Sequence, residues 1–256
     1  MSTEVVRLPD GTEFPFWDDE TKYAKTYHVS CRHSEASDDN PGTSRKPFRS
    51  IGRAGEVLQP GERVLVHEGV YREVVRPARG GEGPDRMIAY EAARGQEVVV
   101  KGSEVWKPEF QPSDGWQMRR GREARIWMAD LPAEWFVGYN PFQATNVFGE
   151  LMTFNQNWST AEMHKLQLRR GMVFAEGKPV KQVFRFWELG EHEGAFWVEE
   201  PGLRIHLRLW EDADPNGVEF EVTTREQAFA PSVRRLGYIR VKGFTFEHVA
   251  DGVPRD

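Results

Sequence analysis

One short phrase occurs twice in this chain, far apart. Val98-Val99-Val100-Lys101-Gly102-Ser103 and Ile239-Arg240-Val241-Lys242-Gly243-Phe244 are both β-branched runs closed by Lys-Gly. A strand, a glycine turn and a resumed strand of the same design mark a stacked β-architecture that a second domain interrupts. The second copy belongs to a strand expected over 238–246, which starts a new layer shortly before Asp256. On this reading most layers of the stack lie outside the 256 residues. The edge left by Ile239, Val241, Phe244 and Phe246 would recruit another chain, so a homo-oligomer is expected.

Composition narrows the class. Of the residues 39% are hydrophobic, enough for sizeable cores, and no run approaches the roughly 18–20 apolar residues of a membrane span. The start, Met1-Ser2-Thr3-Glu4-Val5-Val6-Arg7, lacks the basic and then apolar pattern of a secretory signal. Net charge is −6, with acids and bases interspersed, which argues against nucleic-acid and membrane partners. Cys31 is the single cysteine, so no intrachain disulfide forms. Together these features predict a cytoplasmic protein.

Breakers and periodicity divide the chain into four parts. Residues 1–26 read as an extension, with a turn at Pro9-Asp10-Gly11-Thr12 and anchors Phe14, Phe16 and Trp17. Residues 27–103 hold a short strand at 27–30 and a loop over 32–46. Pro47 is expected to open a helix whose apolar face is Phe48, Ile51, Ala54 and Leu58, ended by Pro60-Gly61. Strands follow at 63–67, 87–91 and 98–101, with continuous apolar runs that suit parallel strands covered on both faces. Residues 104–237 hold eight of the nine tryptophans and alternating strands such as 202–210. That strand places Leu203, Ile205, Leu207 and Leu209 on one face and Arg204, His206 and Arg208 on a solvated one. A turn at 212–217 completes a hairpin into 218–222. This block reads as an inserted antiparallel β-sandwich with most of its tryptophans buried, and 238–256 as the return to the first architecture. The fold class is therefore all-β.

Tyr27-His28-Val29-Ser30, Asn40-Pro41-Gly42-Thr43, Lys46-Pro47-Phe48, the 59–73 run QPGERVLVHEGVYRE and the 98–103 run VVVKGS are specific in order and spacing. They resemble the opening of right-handed parallel β-helix proteins of the pectate-lyase-like superfamily, and most closely the β-xylosidase-type glycoside hydrolases of family 120. The stretches 138–142, 147–150 and 213–216 and the re-entry at 238–244 echo that group too. The resemblance spans Tyr27 to Ala250. It implies a helix-capped β-helix interrupted after its first turns by a sandwich, and a retaining, exo-acting hydrolase of β-linked sugars such as xylo-oligosaccharides. In that group the nucleophile and acid carboxylates lie on later turns, so no catalytic residue is assigned and the chain alone is expected to be inactive. Leu151 departs from the pattern, in which those enzymes place a tryptophan that reaches the sugar.

Glycoside hydrolysis needs one protonated carboxyl and one ionised carboxylate. Glu68, Glu73, Glu191, Glu193, Glu199 and Glu200 are not distinguished in sequence from solvated surface acids. His67-Glu68 and Tyr71-Arg72-Glu73 read as an ionic corner. The residues expected to touch an oligosaccharide or glycoside are Asn140, Phe148 and Glu150, from a loop of polar and aromatic composition, and His248, which lies beside the re-entry strand. Asp212, Asp214, Asn216 and Gly217 match half an EF-hand loop, but its twelfth position is Thr223, so calcium is rejected there. Nothing suggests zinc, a phosphate loop, a G-x-S-x-G nucleophile or a cofactor. A polysaccharide lyase and a non-catalytic sugar-binding or interaction protein on the same scaffold remain as alternatives.

Overall fold

The computed structural model of the protein describes residues 7–12, 19–114, 123–145 and 168–250. In chain order the elements are β1 (Lys25–Val29), α1 (Ile51–Val57), β2 (Glu62–Val66), β3 (Gly69–Tyr71), β4 (Ile88–Ala92), β5 (Val98–Lys101) and β6 (Ser103–Trp106). Then come β7 (Gln111–Pro112), β8 (Trp127–Asp130), β9 (Val173–Ala175), β10 (Lys178–Gln182), β11 (Ala195–Glu199), β12 (Arg204–Arg208) and β13 (Phe220–Thr223). The last two are β14 (Ile239–Lys242) and β15 (Phe244–Glu247). The protein is all-β, with α1 the single α-helix among the described residues. No helix there is long and apolar enough to cross a membrane.

The chain divides into two units. Unit 1 comprises Met1–Gly69, Val75–Val98 and Ala230–Phe244. Its sheet has the order β1-β2-β4-β14, and every neighbouring pair is parallel. The register sets Tyr27 beside Val64 and Val64 beside Tyr90, and this row is buried together with Val29, Val66 and Ile88. The opposite face of β1 and β2 carries half-buried and polar residues. Cover on both faces is therefore confined to β4, whose Ile88, Ala89 and Tyr90 are all buried.

The helix starts at Ile51, four residues after the proline expected to open it. Phe48 is held in extended pairing instead. Its N–H donates to His28 O at 2.9 Å, and its carbonyl accepts from Ser30 N at 2.9 Å. Ser50 then caps the helix, its Oγ accepting from Arg53 N at 3.1 Å. Asp38 in turn accepts from Arg49 N and Ser50 N, both at 2.9 Å. A side-chain oxygen at this position satisfies an N–H that the first helical turn leaves unpaired. Gly42 sits beneath the stacked Tyr27 and Phe48 rings, where a Cβ would lie 2.5 Å from Phe48 Cε2.

Unit 2 comprises Val70–Val74, Val99–Phe229 and Thr245–Asp256. Its main sheet has eight strands in the order β6-β13-β9-β10-β11-β12-β8-β7. The paired neighbours are antiparallel except β10 and β11. Strand β10 is a corner: Lys178, Pro179 and Val180 pair with β9, and Lys181 and Gln182 with β11. A strand that changes partners midway lets one sheet fold over itself. Residues of both halves accordingly share one core, including Trp106, Val173, Val180, Phe196, Ile205, Leu207 and Phe220. Trp106, Phe110 and Phe220 meet at ring separations of 5.1–6.0 Å, which adds about 0.5–1.5 kcal/mol per pair beyond area burial.

The expected hairpin between 202–210 and 218–222 does not form. Strand β12 pairs with β11 and β8, whereas β13 pairs with β6 and β9 in the other half of the sheet. The solvated face expected for β12 is also covered. His206 is fully buried and Arg208 nearly so, beneath a second cluster that includes Phe186, Leu189 and Ala195. Arg208 remains ionic there by pairing with Asp212 at 2.7 Å and reaching the Leu189 and Gly190 carbonyls. Of the described tryptophans in this block only Trp106 is fully buried; Trp127, Trp135, Trp187, Trp197 and Trp210 are half-buried. Trp127, Trp135 and Trp210 pack against the rim of the main core, and the Lys178 ammonium lies over Trp210, 3.8 Å from its centroid. Trp116 and Trp158 lie outside the described residues, as do Phe14, Phe16 and Trp17.

The repeated Lys-Gly phrase is a corner in both places. The strand expected over 238–246 breaks at Gly243, whose φ is +80°, so that β14 and β15 enter different sheets. Likewise Gly102 separates β5 from β6, which also lie in different sheets. Strand β15 joins β5 and β3 in a three-stranded sheet.

Candidate functional site

Along β13 the residues alternate. Phe220 and Val222 enter the core, so Glu221 between them points to the other face. There it becomes the centre of an ionic cluster with Arg72, Lys101 and His248. Its carboxylate accepts from Arg72 Nη2 at 3.0 Å and Nη1 at 3.3 Å. It also accepts from Lys101 Nζ at 3.1 Å and Ser103 Oγ at 2.7 Å. Burial pushes the Glu221 carboxyl up, but the hydrogen bonds from Arg72, Ser103 and Lys101 outweigh it and hold the group well below the usual carboxylate range. Glu221 is thus a fixed anion, and it cannot serve as the protonated acid of a hydrolytic pair.

What this anion orients is His248. The imidazole Nδ1 lies 3.1 Å from Glu221 Oε2 and 3.3 Å from Ser103 Oγ. An ionised carboxylate only accepts, so Nδ1 carries the proton. The ring stacks on Phe174 at 3.7 Å with an interplanar angle of 16°. The residue has φ +56°, a left-handed conformation that costs a non-glycine residue about 1–2 kcal/mol. Carboxylate, stacking and backbone thereby fix one ring orientation. Among the described residues Nε2 takes no hydrogen bond, which leaves it as the nitrogen able to meet a ligand. Lys101 also lies 3.5 Å from Glu247, and Arg225 pairs with Glu104 beside Ser103.

The other expected contact residues fare differently. Asn140 Oδ1 accepts from Phe142 N at 2.8 Å, and its Nδ2 donates to Gly202 O at 3.0 Å. Both polar atoms therefore hold the loop that seats the buried Phe142. The neighbouring Tyr139 hydroxyl donates to Ala250 O at 2.6 Å. Phe148 and Glu150 lie outside the described residues, as does Leu151. The structure brings His248 together with Arg72, Lys101 and Ser103, residues that lie in the corner and the repeated phrase singled out in sequence. Glu221 was not legible there, because an acid flanked by Phe220 and Val222 has the pattern of any half-buried strand. Among the turn acids, Asp212 is taken by Arg208, and Asp214 Oδ1 accepts from Asn216 N at 2.8 Å.

Unit 1 carries its own ionic face. Arg240 donates to Asp19 at 2.6 Å, and Arg63 Nη1 lies 3.5 Å from Glu91. Burial raises the Asp19 carboxyl, but the Tyr23 hydroxyl and Arg240 outweigh it and lower its pKa to about 2. His28 and His67 stack, with Nδ1 and Nε2 3.0 Å apart; burial, then the neighbouring imidazole, lowers His28. His67 also meets Gln96 at 3.1 Å. Glu68 pairs with Arg32. These contacts fit the ionic corner expected of His67-Glu68. Among the described residues, every carboxyl whose pKa departs from its ordinary value moves down: Asp10, Asp19, Asp130, Asp212 and Glu221. Both ionic faces consist of compensated charges, suited to holding shape and presenting polar edges.

No family model matches the chain. Among curated proteins it is similar to the uncharacterized protein YwoF of Bacillus subtilis (strain 168), with 32% identity over 75 residues, 29% of this chain and 16% of that protein. Among solved structures it is similar to XylC in complex with xylose, at a TM-score of 0.71 and 28% identity over 90% of this chain. It is also similar in fold to a glycoside hydrolase, at a TM-score of 0.51 and 14% identity over 88% of this chain. The chain spans 36% of the XylC chain and 51% of the second, and so less than two thirds of each relative. The fold is glycoside-hydrolase-like.

Proposed function

We propose that the chain is the opening portion of a carbohydrate-active glycoside hydrolase of the family 120 type, retaining and exo-acting on β-linked sugars such as xylo-oligosaccharides. In this reading unit 1 begins a right-handed parallel β-helix, and residues 104–237 are a β-sandwich inserted into it. The observation that carries the proposal is the 28% identity to XylC, sustained over 90% of this chain at a TM-score of 0.71. The all-parallel order β1-β2-β4-β14 supports it, since stacked turns of a solenoid pair their strands in parallel. Within this portion His248 is the residue assigned to the sugar. Its ring is fixed by Glu221 and Phe174, and its Nε2 is left for a hydroxyl. Phe148 and Glu150 are assigned to the same substrate, and Asn140 to shaping the loop.

The test is binding of xylobiose to the 256-residue protein, followed by isothermal titration and by the His248 imidazole resonances. Xylobiose is expected to shift those resonances, and His248→Ala to weaken binding by about tenfold, the loss of one hydrogen bond of roughly 1.5 kcal/mol. No shift with xylobiose, or a response to oligogalacturonate instead, would overturn the assignment in favour of the lyase scaffold.

A further inference from the structure

On the face of the sheet opposite the main core, three side chains from three strands line up. The register sets Gln111 beside Met128 and Met128 beside His206, so these residues and Ser113, two positions beyond Gln111, share that face. Ser113 Oγ lies 2.8 Å from His206 Nδ1, and His206 Nε2 lies 2.8 Å from Glu199 Oε2. His206 itself is fully buried, while the Glu199 side chain keeps 28% of its exposure. Phe186 meets the imidazole edge-on at 5.5 Å, and Trp197 packs at 5.3 Å. The ring is therefore held in one plane by aromatic contacts and at both nitrogens by polar ones.

We propose that Ser113, His206 and Glu199 form a Ser–His–Glu relay that hydrolyses small acyl esters, an activity separate from glycoside cleavage. The tautomer follows from the geometry. An ionised Glu199 only accepts, so the imidazole N–H is at Nε2 and the Nδ1 lone pair faces the serine hydroxyl. The nitrogens are used in the reverse order of the Ser–His–Asp template, but the roles are the same, and such sites are recognised by geometry rather than position. Burial lowers the His206 pKa against the opposing pull of Glu199, which keeps the imidazole a neutral base. Ser113 follows β7, the outermost strand of the sheet among the described residues, and is half-buried. A hollow of about 250 Å³ lies near the relay along the same strands, lined by Gln111 and Met128 together with Pro108, Glu109, Ala129, Asp130 and Arg204.

The chemistry balances with water as the only co-reactant. Ser113 Oγ attacks the ester carbonyl carbon while its proton passes to His206 Nδ1. The tetrahedral intermediate collapses, the bond to the alkoxy oxygen breaks, and that oxygen leaves as the alcohol with the proton from Nδ1. Water then gives its proton to Nδ1 and attacks the acyl carbon; the bond to Ser113 Oγ breaks, the acid leaves, and Nδ1 returns the proton to Oγ, restoring the hydroxyl and the neutral imidazole. Glu199 stays ionised throughout and is a positioning residue, pairing through Nε2–H with the imidazolium that forms.

The experiment treats the 256-residue protein with a fluorophosphonate probe, maps the modified peptide by mass spectrometry, and follows p-nitrophenyl acetate hydrolysis. Labelling at Ser113 is expected, together with ester turnover that Ser113→Ala abolishes. Glu199→Gln is expected to slow labelling by at least about 10²-fold through loss of the correct tautomer. Ser113→Ala leaves the buried imidazole its Glu199 partner, so that variant is expected to fold, which far-ultraviolet circular dichroism checks. No labelling of the wild type, labelling at another residue, or turnover that survives Ser113→Ala overturns the proposal.

Discussion

Replacing Glu221 with glutamine removes one charge from a site where two cations depend on it. The Glu221 side chain is 12% exposed, and those of Arg72 and Lys101 are 22% and 16% exposed. At the observed 3.0 Å and an effective dielectric of ~20, one such pair attracts by about 5 kcal/mol. Desolvation of the ions offsets most of this, yet removing one partner of a buried ionic group still costs about 3–5 kcal/mol, because the remaining charges are left uncompensated. Glutamine keeps the shape and can still accept from Ser103, so Glu221→Gln is expected at the lower end, about 3 kcal/mol at neutral pH.

The sign of the pH dependence follows from the depressed folded-state pKa. The unfolded glutamate titrates near ~4.3, so the stabilisation is fully present above that value. It is lost progressively as pH falls below ~4.3 toward the lower folded value. Wild type and variant therefore converge in acid. Urea unfolding followed by tryptophan fluorescence is the assay, since eight of the nine tryptophans fall within the 99–229 segment of unit 2. A loss below about 1 kcal/mol at pH 7 refutes the reasoning. So does a loss that is unchanged well below the glutamate range.

Two further outcomes concern unit 1. Gly42→Ala brings a Cβ to 2.5 Å from the Phe48 ring at a φ of +73°; overpacking and backbone strain together are expected to cost about 2–4 kcal/mol, read as a lowered urea midpoint of unit 1 by hydrogen exchange at Val64 and Tyr90. Ser50→Ala removes the acceptor for Arg53 N and the donor to Asp38, with an expected loss of about 1–2 kcal/mol, seen as faster exchange of the Ala54 and Gly55 amides with the sheet unaffected.

The sequence was most readable where one local rule decides the outcome. Val98–Lys101 is a strand with the bounds its β-branched run indicates, and the Lys-Gly repeat marks two corners because glycine admits the conformation or the close approach that each corner needs. Pro47 misled, because a proline compatible with the first helical turn is equally compatible with extended backbone, and Asp38, nine residues earlier in sequence, decides where the cap falls. The alternation over 202–210 gave the correct core face, Ile205 and Leu207. It could not reveal that Phe186 and Leu189 arrive from elsewhere to cover the other.

The same limit explains both polar constellations. Glu221 meets Arg72, Lys101, Ser103 and His248 across separations of 27 to 149 residues, and Ser113 meets His206 across 93. No motif of fixed spacing links them; only strand pairing does. Periodicity assigns such residues a face, whereas the function of a polar residue on that face depends on which strand lies beside it. In this fold β10 changes partners midway, and that switch separates the strand bearing Glu221 from the strand bearing His206 although the two are near in sequence. Each polar face consequently acquires a different set of neighbours: cations around Glu221, which fix an anion, and aromatic rings with one carboxylate around His206, which fix a neutral base.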